Sequence, residues 1–305
     1  MILVALAVVV ATAIGVAVER RTLTAARRGA LGALRLMLYV LLPFVSFVNF
    51  SHLHLSLGAG VGLLVAYVAI GIAGTLAWAV ARLRLRLPSA SVGALICCVI
   101  SVNTGYLGLP MAFALLGSRG FTSAVAYDQL VSGPVFLVAA FAVGAAFGGQ
   151  GGESSRERLL AFVTRNPPLL AVIAGLLTPA SAVPASLLHV SHLVVIAMLP
   201  LGFLAVGVNL SAERREERAP LLEAPDARVA VALALRLMAA PAVMIVVSLV
   251  AIRLPPAYLL QAAMPTGINS LIVGHAYRLD QRLIATTIVW STAAALVVGL
   301  AVALP

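Results

Sequence analysis

The sequence predicts an all-α polytopic membrane protein: ten transmembrane helices, arranged as two inverted five-helix repeats with broken, crossing helices 4 and 9. Three observations carry this reading: the apolar content, the placement of arginine and a matched pair of helix-breaking motifs. Of 305 residues, 62% are apolar and 10% charged, against about half and about a quarter in soluble domains. A water-soluble globule is excluded. A hydrocarbon core of about 30 Å takes roughly 20 helical residues, so the chain holds on the order of ten spans.

Apolar runs separated by polar or Gly/Pro punctuation place the spans at 2–18, 29–50, 57–81, 89–116, 121–147, 167–183, 187–210, 228–252, 257–277 and 282–304. The first lacks the basic start and small-residue cleavage site of a signal peptide and is read as a retained helix. All twenty basic residues are Arg; sixteen, from Arg20 and Arg21 to Arg278 and Arg282, follow the odd-numbered spans, and Arg119 and Arg253 fall in the opposite loops. That asymmetry predicts a multi-pass protein of the cell (plasma or inner) membrane with both termini on the non-cytoplasmic face. The formal charge of +10 is then topology, and no nucleic-acid partner is expected. Arg35 and Arg236, inside spans two and eight, are expected to snorkel to the interface. Nine of the ten acidic residues lie in or beside the same arginine-rich segments, and Asp128 is the exception. Adjacent Cys97 and Cys98 suit neither a disulfide framework nor a metal site.

The two halves echo each other at a spacing of about 155 residues, as a drifted duplication does. Leu42-Pro43 with Asn49 and Ser51 matches Leu199-Pro200 with Asn209 and Ser211, and Asp128-Gln129 matches Asp280-Gln281. An odd number of helices per copy inverts the second copy in the membrane. The division is 1–148 for the first repeat, 149–166 for a polar cytoplasmic connection and 167–305 for the second repeat.

Span four carries Asn103-Thr104-Gly105-Tyr106-Leu107-Gly108-Leu109-Pro110, and span nine carries Pro265-Thr266-Gly267-Ile268-Asn269. Proline removes a helical hydrogen bond and glycine releases the backbone, so both spans should break near mid-membrane. Freed backbone groups are tolerated there only when buried in protein or lining a cavity. Paired breaks at matching places in inverted halves point to a substrate site where they cross.

The segment Ser101 to Pro110, SVNTGYLGLP, closely resembles the fourth-helix signature of the auxin efflux carrier family, the PIN-like transporters. LRLMLYVLLP (Leu34 to Pro43), RNPPLLAVIAGLL (Arg165 to Leu177) and MPTGINSLIVGHAYRLD (Met264 to Asp280) are similar to that family's second, sixth and ninth helices. The resemblance implies two inverted five-helix repeats with a crossover site related to bile acid/sodium symporters and sodium/proton antiporters. It also implies organic-anion substrates, such as indole-3-acetate or dicarboxylates. The long central loop of the plant carriers is absent, so their regulation does not carry over.

Asn103 and Asn269 are candidates for holding a carboxylate, because an amide donates without leaving a charge buried in the empty site. Half-helix N-termini behind the breaks favour an anion. Gly105, Pro110, Pro265 and Gly267 shape the breaks. Thr104, Tyr106 and Thr266 either join the site or satisfy freed carbonyls. Asn49 and Gln129 complete the pocket or act as interhelical glue. Asp128 is the candidate for the coupling ion, with an outer-vestibule carboxylate, hydrated or paired with Arg119, as the bland alternative.

The expected function is a secondary transporter or facilitator of small organic anions working by alternating access, not an enzyme, with no cofactor. The expected partners are that anion and the lipid bilayer, and a homodimer is left open. The alternatives are a sodium-coupled symporter of the bile acid type and a membrane sensor or metalloenzyme using the outer His52, His54, His189 and His192. ATP-driven pumping by this chain alone is excluded, because a GxxxxGK[ST] loop needs a lysine the sequence lacks.

Overall fold

Long apolar stretches fold as helices here because a helix satisfies its own backbone wherever water is missing. The computed structural model describes residues 2–52, 57–148, 167–216 and 224–303, so the proposed 149–166 connection and His54 lie outside the described residues. Among the described residues the regular elements are α1 (Ile2–Thr22), α2 (24–51), α3 (57–84), α4 (Ser89–Ile100), α5 (104–116), α6 (118–147), α7 (Pro167–Leu177), α8 (Ser186–Glu216), α9 (227–250), α10 (Pro256–Ala262), α11 (Asn269–Tyr277) and α12 (Gln281–Ala303). All of them are helices. The stretches Gly60–Arg84, Ser186–Ala205, Ala227–Val250 and Gln281–Ala301 are each long and apolar enough to cross a membrane. By contrast α4 is 12 residues long, or about 18 Å at 1.5 Å per residue, too short for a core of about 30 Å without a second piece.

Most expected boundaries fall within a few residues of these helices. The sixth span is shorter than expected: α7 stops at Leu177, and the chain makes only a short 3-10 turn at Ala180–Ala182. Thr178, Pro179 and Pro184 explain this, because a residue before proline is steered away from helical geometry. Between α5 and α6, Gly117 adopts φ 66°, a left-handed conformation that only glycine adopts without strain.

The buried apolar residues form two main bodies. In one, a stripe of small residues on α3 (Ala66, Ala69, Ala73, Ala77 and Ala81) shares a core with α4, α6 and α9 to α12. Small side chains let helices approach closely where no water drives them together. In the other, α2, α7 and α8 pack together through Phe50, Val172, Val195 and Met198. Here α1 joins α8 at backbone distance: a Cβ added to Gly207 would lie 2.1 Å from the carbonyl oxygen of Thr12, and one added to Gly15 would lie 2.2 Å from that of Leu204. Helix α5 runs between the bodies, with Leu107 and Met111 sharing a cluster with Val8, Phe203 and Leu296.

The arginine-rich end is pinned by charge. Glu19 of α1 is fully buried, and its carboxylate meets Arg215 of α8 at 2.6 Å and accepts from Ser211 at 2.9 Å. In the other body Asp280 accepts from Ser91 at 2.8 Å, from Arg228 at 3.0 Å and from the Leu283 N–H at 3.0 Å, so it caps α12 while tying it to α4 and α9. The two acids of the Asp-Gln repeat therefore differ in role, because Asp128 lies inside the bundle.

Gly207→Val is expected to lower the melting temperature in detergent, since α1 and α8 must separate at a cost of at least the about 1–3 kcal/mol typical of overpacking. Gly29→Ala, at an exposed helical position with open space around its Cβ, is expected to raise stability by about 0.5–1 kcal/mol. Thermal unfolding of both variants checks the pair.

Candidate functional site

The two breaks lie at 101–103, between α4 and α5, and at 263–268, between α10 and α11. Each leaves backbone donors and acceptors free inside the apolar bundle, and the two segments satisfy one another. Val102 and Thr266 form an isolated antiparallel β-bridge. The Asn103 N–H donates to Pro265 O at 2.8 Å, and the Gly267 N–H donates to Ser101 O at 2.8 Å. Thr266 adds a hydroxyl bond to Cys98 O at 2.8 Å, and its N–H donates to the Ser291 hydroxyl of α12 at 3.2 Å. The two breaks expected from the Gly/Pro motifs therefore meet one another.

The first break sits elsewhere than the proline suggests. Pro110 stands inside α5, where the π-helical turn 104–108 passes into α-helix, and its missing N–H falls at that changeover. The chain opens seven residues earlier, where Ser101 is extended (φ −88°, ψ 116°) and Asn103 has φ −83° and ψ 59°. Between them 104–108 is a π-helical turn whose Gly108 N–H reaches back to Asn103 O at 3.0 Å. In the second break Pro265 and Gly267 lie inside the extended segment itself. A side chain at 267 would stand 3.0 Å from Val102 O, so glycine is what lets the two chains meet.

Several predicted residues converge here. Asn103 is buried, with its backbone in the bridge and its side-chain Nδ2 without a partner among the described residues. Asn269 opens α11 and is half-buried. Thr104 donates its hydroxyl to Asp128, and Gln129 donates its amide to the same carboxylate at 2.6 Å. A Cβ on Gly105 would stand 3.5 Å from Asp128 Oδ1. The carboxylate thus rests on the first turn of α5, where the amides preceding the first intrahelical bond point and an anion is favoured. The bland vestibule alternative for Asp128 does not fit this buried placement. Tyr106 is half-buried and lies against Gly202 of α8.

Asn49 goes elsewhere. Its amide donates to Ser191 of α8 and to Val45 O, both at 2.8 Å, and its carbonyl accepts from Thr122 of α6 at 3.3 Å. None of these partners is a crossover residue, so the interhelical-glue reading describes its bonds. Among the outer histidines, the His192 ring packs 4.8 Å from Phe113 and 5.3 Å from Phe121, on either side of the Gly117 kink.

Arg236 corrects a second expectation. It does not snorkel: it is 1% exposed, donating Nη1 to Val99 O at 2.6 Å and Nη2 to Ala262 O. It stands nine residues into α9, about 13 Å along the axis at 1.5 Å per residue and close to half a bilayer core. Gln261, fully buried beside Gly108 and donating to Ala124 O at 3.3 Å, is a further crossover residue the motif reading passed over. Thr104, Asp128 and Arg236 lie in π-helical turns at 104–108, 128–132 and 235–239, a form the helices also take at 37–41, 80–84 and 135–140.

Residues 157–302 match the model of a family described as membrane transport protein. The chain is also 26% identical over 233 residues, 74% of its own length and 72% of the relative's, to an uncharacterized transporter of Methanocaldococcus jannaschii. The resemblance read in the helix motifs is thereby borne out at the level of a transporter family.

Thr266→Val keeps the shape but strands the Cys98 carbonyl. It is expected to cost about 1–3 kcal/mol, the penalty of a buried group losing its partner, whereas Thr266→Ser should stay near wild type. The melting temperatures of the two variants check this.

Proposed function

We propose that the chain is a secondary transporter or facilitator of small organic anions that works by alternating access at the crossover of α4/α5 with α10/α11. The observation that supports this best is Asn103, whose buried amide Nδ2 has no partner among the described residues, at the point where the two breaks pair. A buried polar atom left unsatisfied asks for an explanation, and a carboxylate brought to the N-terminal ends of α5 and α11 supplies one. Its charge is matched by the amide dipoles and by Asn103 and Asn269. Thr104, Gly105, Tyr106, Pro110, Pro265, Thr266 and Gly267 shape this surface. The α1/α2/α7/α8 body then serves as the partner against which the crossover body shifts, with both termini on the non-cytoplasmic face of the cell membrane.

Replacing Asn103 or Asn269 by Ala is expected to weaken carboxylate binding by roughly 10- to 100-fold, the equivalent of a hydrogen bond to a charged group worth about 1.5–3 kcal/mol. The measurement is uptake and counterflow of radiolabelled mono- and dicarboxylates in proteoliposomes. Unchanged affinity in both variants would sink the assignment.

Asp128 supplies the coupling. An anion drawn to the first turn of α5 meets the Asp128 carboxylate already resting there, and a proton taken up by that carboxylate removes the repulsion. Asp128→Asn keeps the bonds to Thr104 and Gln129 possible but does not titrate, so it is expected to bind substrate and to lose any response of uptake to an imposed pH gradient. Persistence of wild-type pH coupling in the Asn variant would assign the proton to another group.

A further inference from the structure

The half-helices α4 and α10 both end at the crossing, and a helix end leaves its last carbonyls without intrahelical donors. The partners of three of the last four carbonyls of α4 and of all four of α10 can be followed. In α4, Cys97 O accepts the Ser101 N–H at 3.0 Å, Cys98 O accepts the Thr266 hydroxyl at 2.8 Å and Val99 O accepts Arg236 Nη1 at 2.6 Å. In α10, Leu259 O and Leu260 O both accept the Ala263 N–H, at 3.2 and 3.1 Å, Gln261 O accepts the Met264 N–H at 3.2 Å, and Ala262 O accepts Arg236 Nη2. One buried guanidinium therefore closes both ends.

The electrostatics agree with the hydrogen bonds. Each helix C-terminus carries roughly half a negative charge, so two of them meeting amount to about one. A single fixed cation balances them. Unwound carbonyls and half-helix C-terminal ends are also the groups that coordinate sodium in secondary transporters with broken helices. Here two of those acceptors already receive the fork of one arginine, whose planar, divergent N–H groups reach two helices at once in a way one ammonium does not.

We infer that Arg236 is the resident counter-cation of the crossover, a positioning residue that joins the C-terminal ends of α4 and α10 and makes a bound metal cation unnecessary there. This rests on the crossover reading given above, but it is tested on stability, which needs no substrate. The purified wild-type protein is melted in sodium chloride and in choline chloride at equal ionic strength, and again in a low, non-denaturing concentration of guanidinium chloride. Arg236→Ala and Arg236→Lys are treated in the same way.

The expected result is a wild-type melting temperature that does not distinguish sodium from choline. Arg236→Ala should melt several degrees lower and recover part of the loss in guanidinium or sodium but not in choline, and Arg236→Lys should fall between the two. Selective stabilisation of the wild type by sodium would overturn the inference. So would an Arg236→Ala protein that melts like wild type, or one whose loss no small cation repairs. If the Ala variant does not fold, the wild-type comparison and the Lys variant decide: a Lys variant that answers to sodium no differently from choline and melts like wild type overturns it. Loss of the proposed anion site is read separately, from the affinities of the Asn103 and Asn269 variants.

Discussion

Two helices that stop inside an apolar bundle face a single demand: the backbone groups they release have no water to turn to. At several kcal/mol for each unsatisfied group in hydrocarbon, one break on its own would be an expensive defect. Two breaks laid across one another supply donors to each other's acceptors, as the bridge between Val102 and Thr266 and the flanking bonds of Asn103 and Gly267 do. The remaining features of the centre follow from that exchange. Gly267 lacks a side chain because Val102 passes over it, Ser291 turns toward the Thr266 amide, and Arg236 reaches in from α9 to take the carbonyls the bridge leaves over.

The charges at the centre sort by helix polarity. Arg236 stands where two helices end, and Asp128 stands where one begins, each on the side its sign prefers. This arrangement spends no ion pair between them. The cation is held by carbonyls and the anion by the Thr104 hydroxyl and the Gln129 amide. Each therefore keeps its own surroundings when the other changes. For the anion carrier proposed above, that separation leaves a permanently positive element in the framework and a separately held acid.

The sequence made the plan of the centre legible and left its wiring hidden. Apolar runs and the Gly/Pro motifs located both breaks, because the chemistry that interrupts a helix is written in the residues that do it. The matched Asp-Gln pairs were legible as a repeat, yet they hid a division of labour, since Asp280 caps α12 at the arginine-rich end while Asp128 is buried beside Thr104. The first opening lies at 101–103, at the front of the Asn103–Pro110 motif, because the helix runs on through Pro110 once it has started at Thr104. Arg236 and Glu19 escaped for a common reason: composition places a charge in a span or beside a loop, but only packing tells what lies across from it. Asn49 reads as a site residue by type, and its bonds to Ser191 and Val45 show how a buried amide is equally well spent on holding two helices together.

The contact between Gly207 of α8 and Thr12 of α1 has a consequence for how the chain is made. Its two members are far apart in the polypeptide, as are Asn103 and Pro265, so the helices up to α6 are made before their partners exist. During that interval Cys98 O, Val99 O and the Asn103 N–H have none of the donors and acceptors that hold them in the finished protein. Those groups are satisfied only when residues 236–266 have been made, so the centre is completed by the later part of the chain.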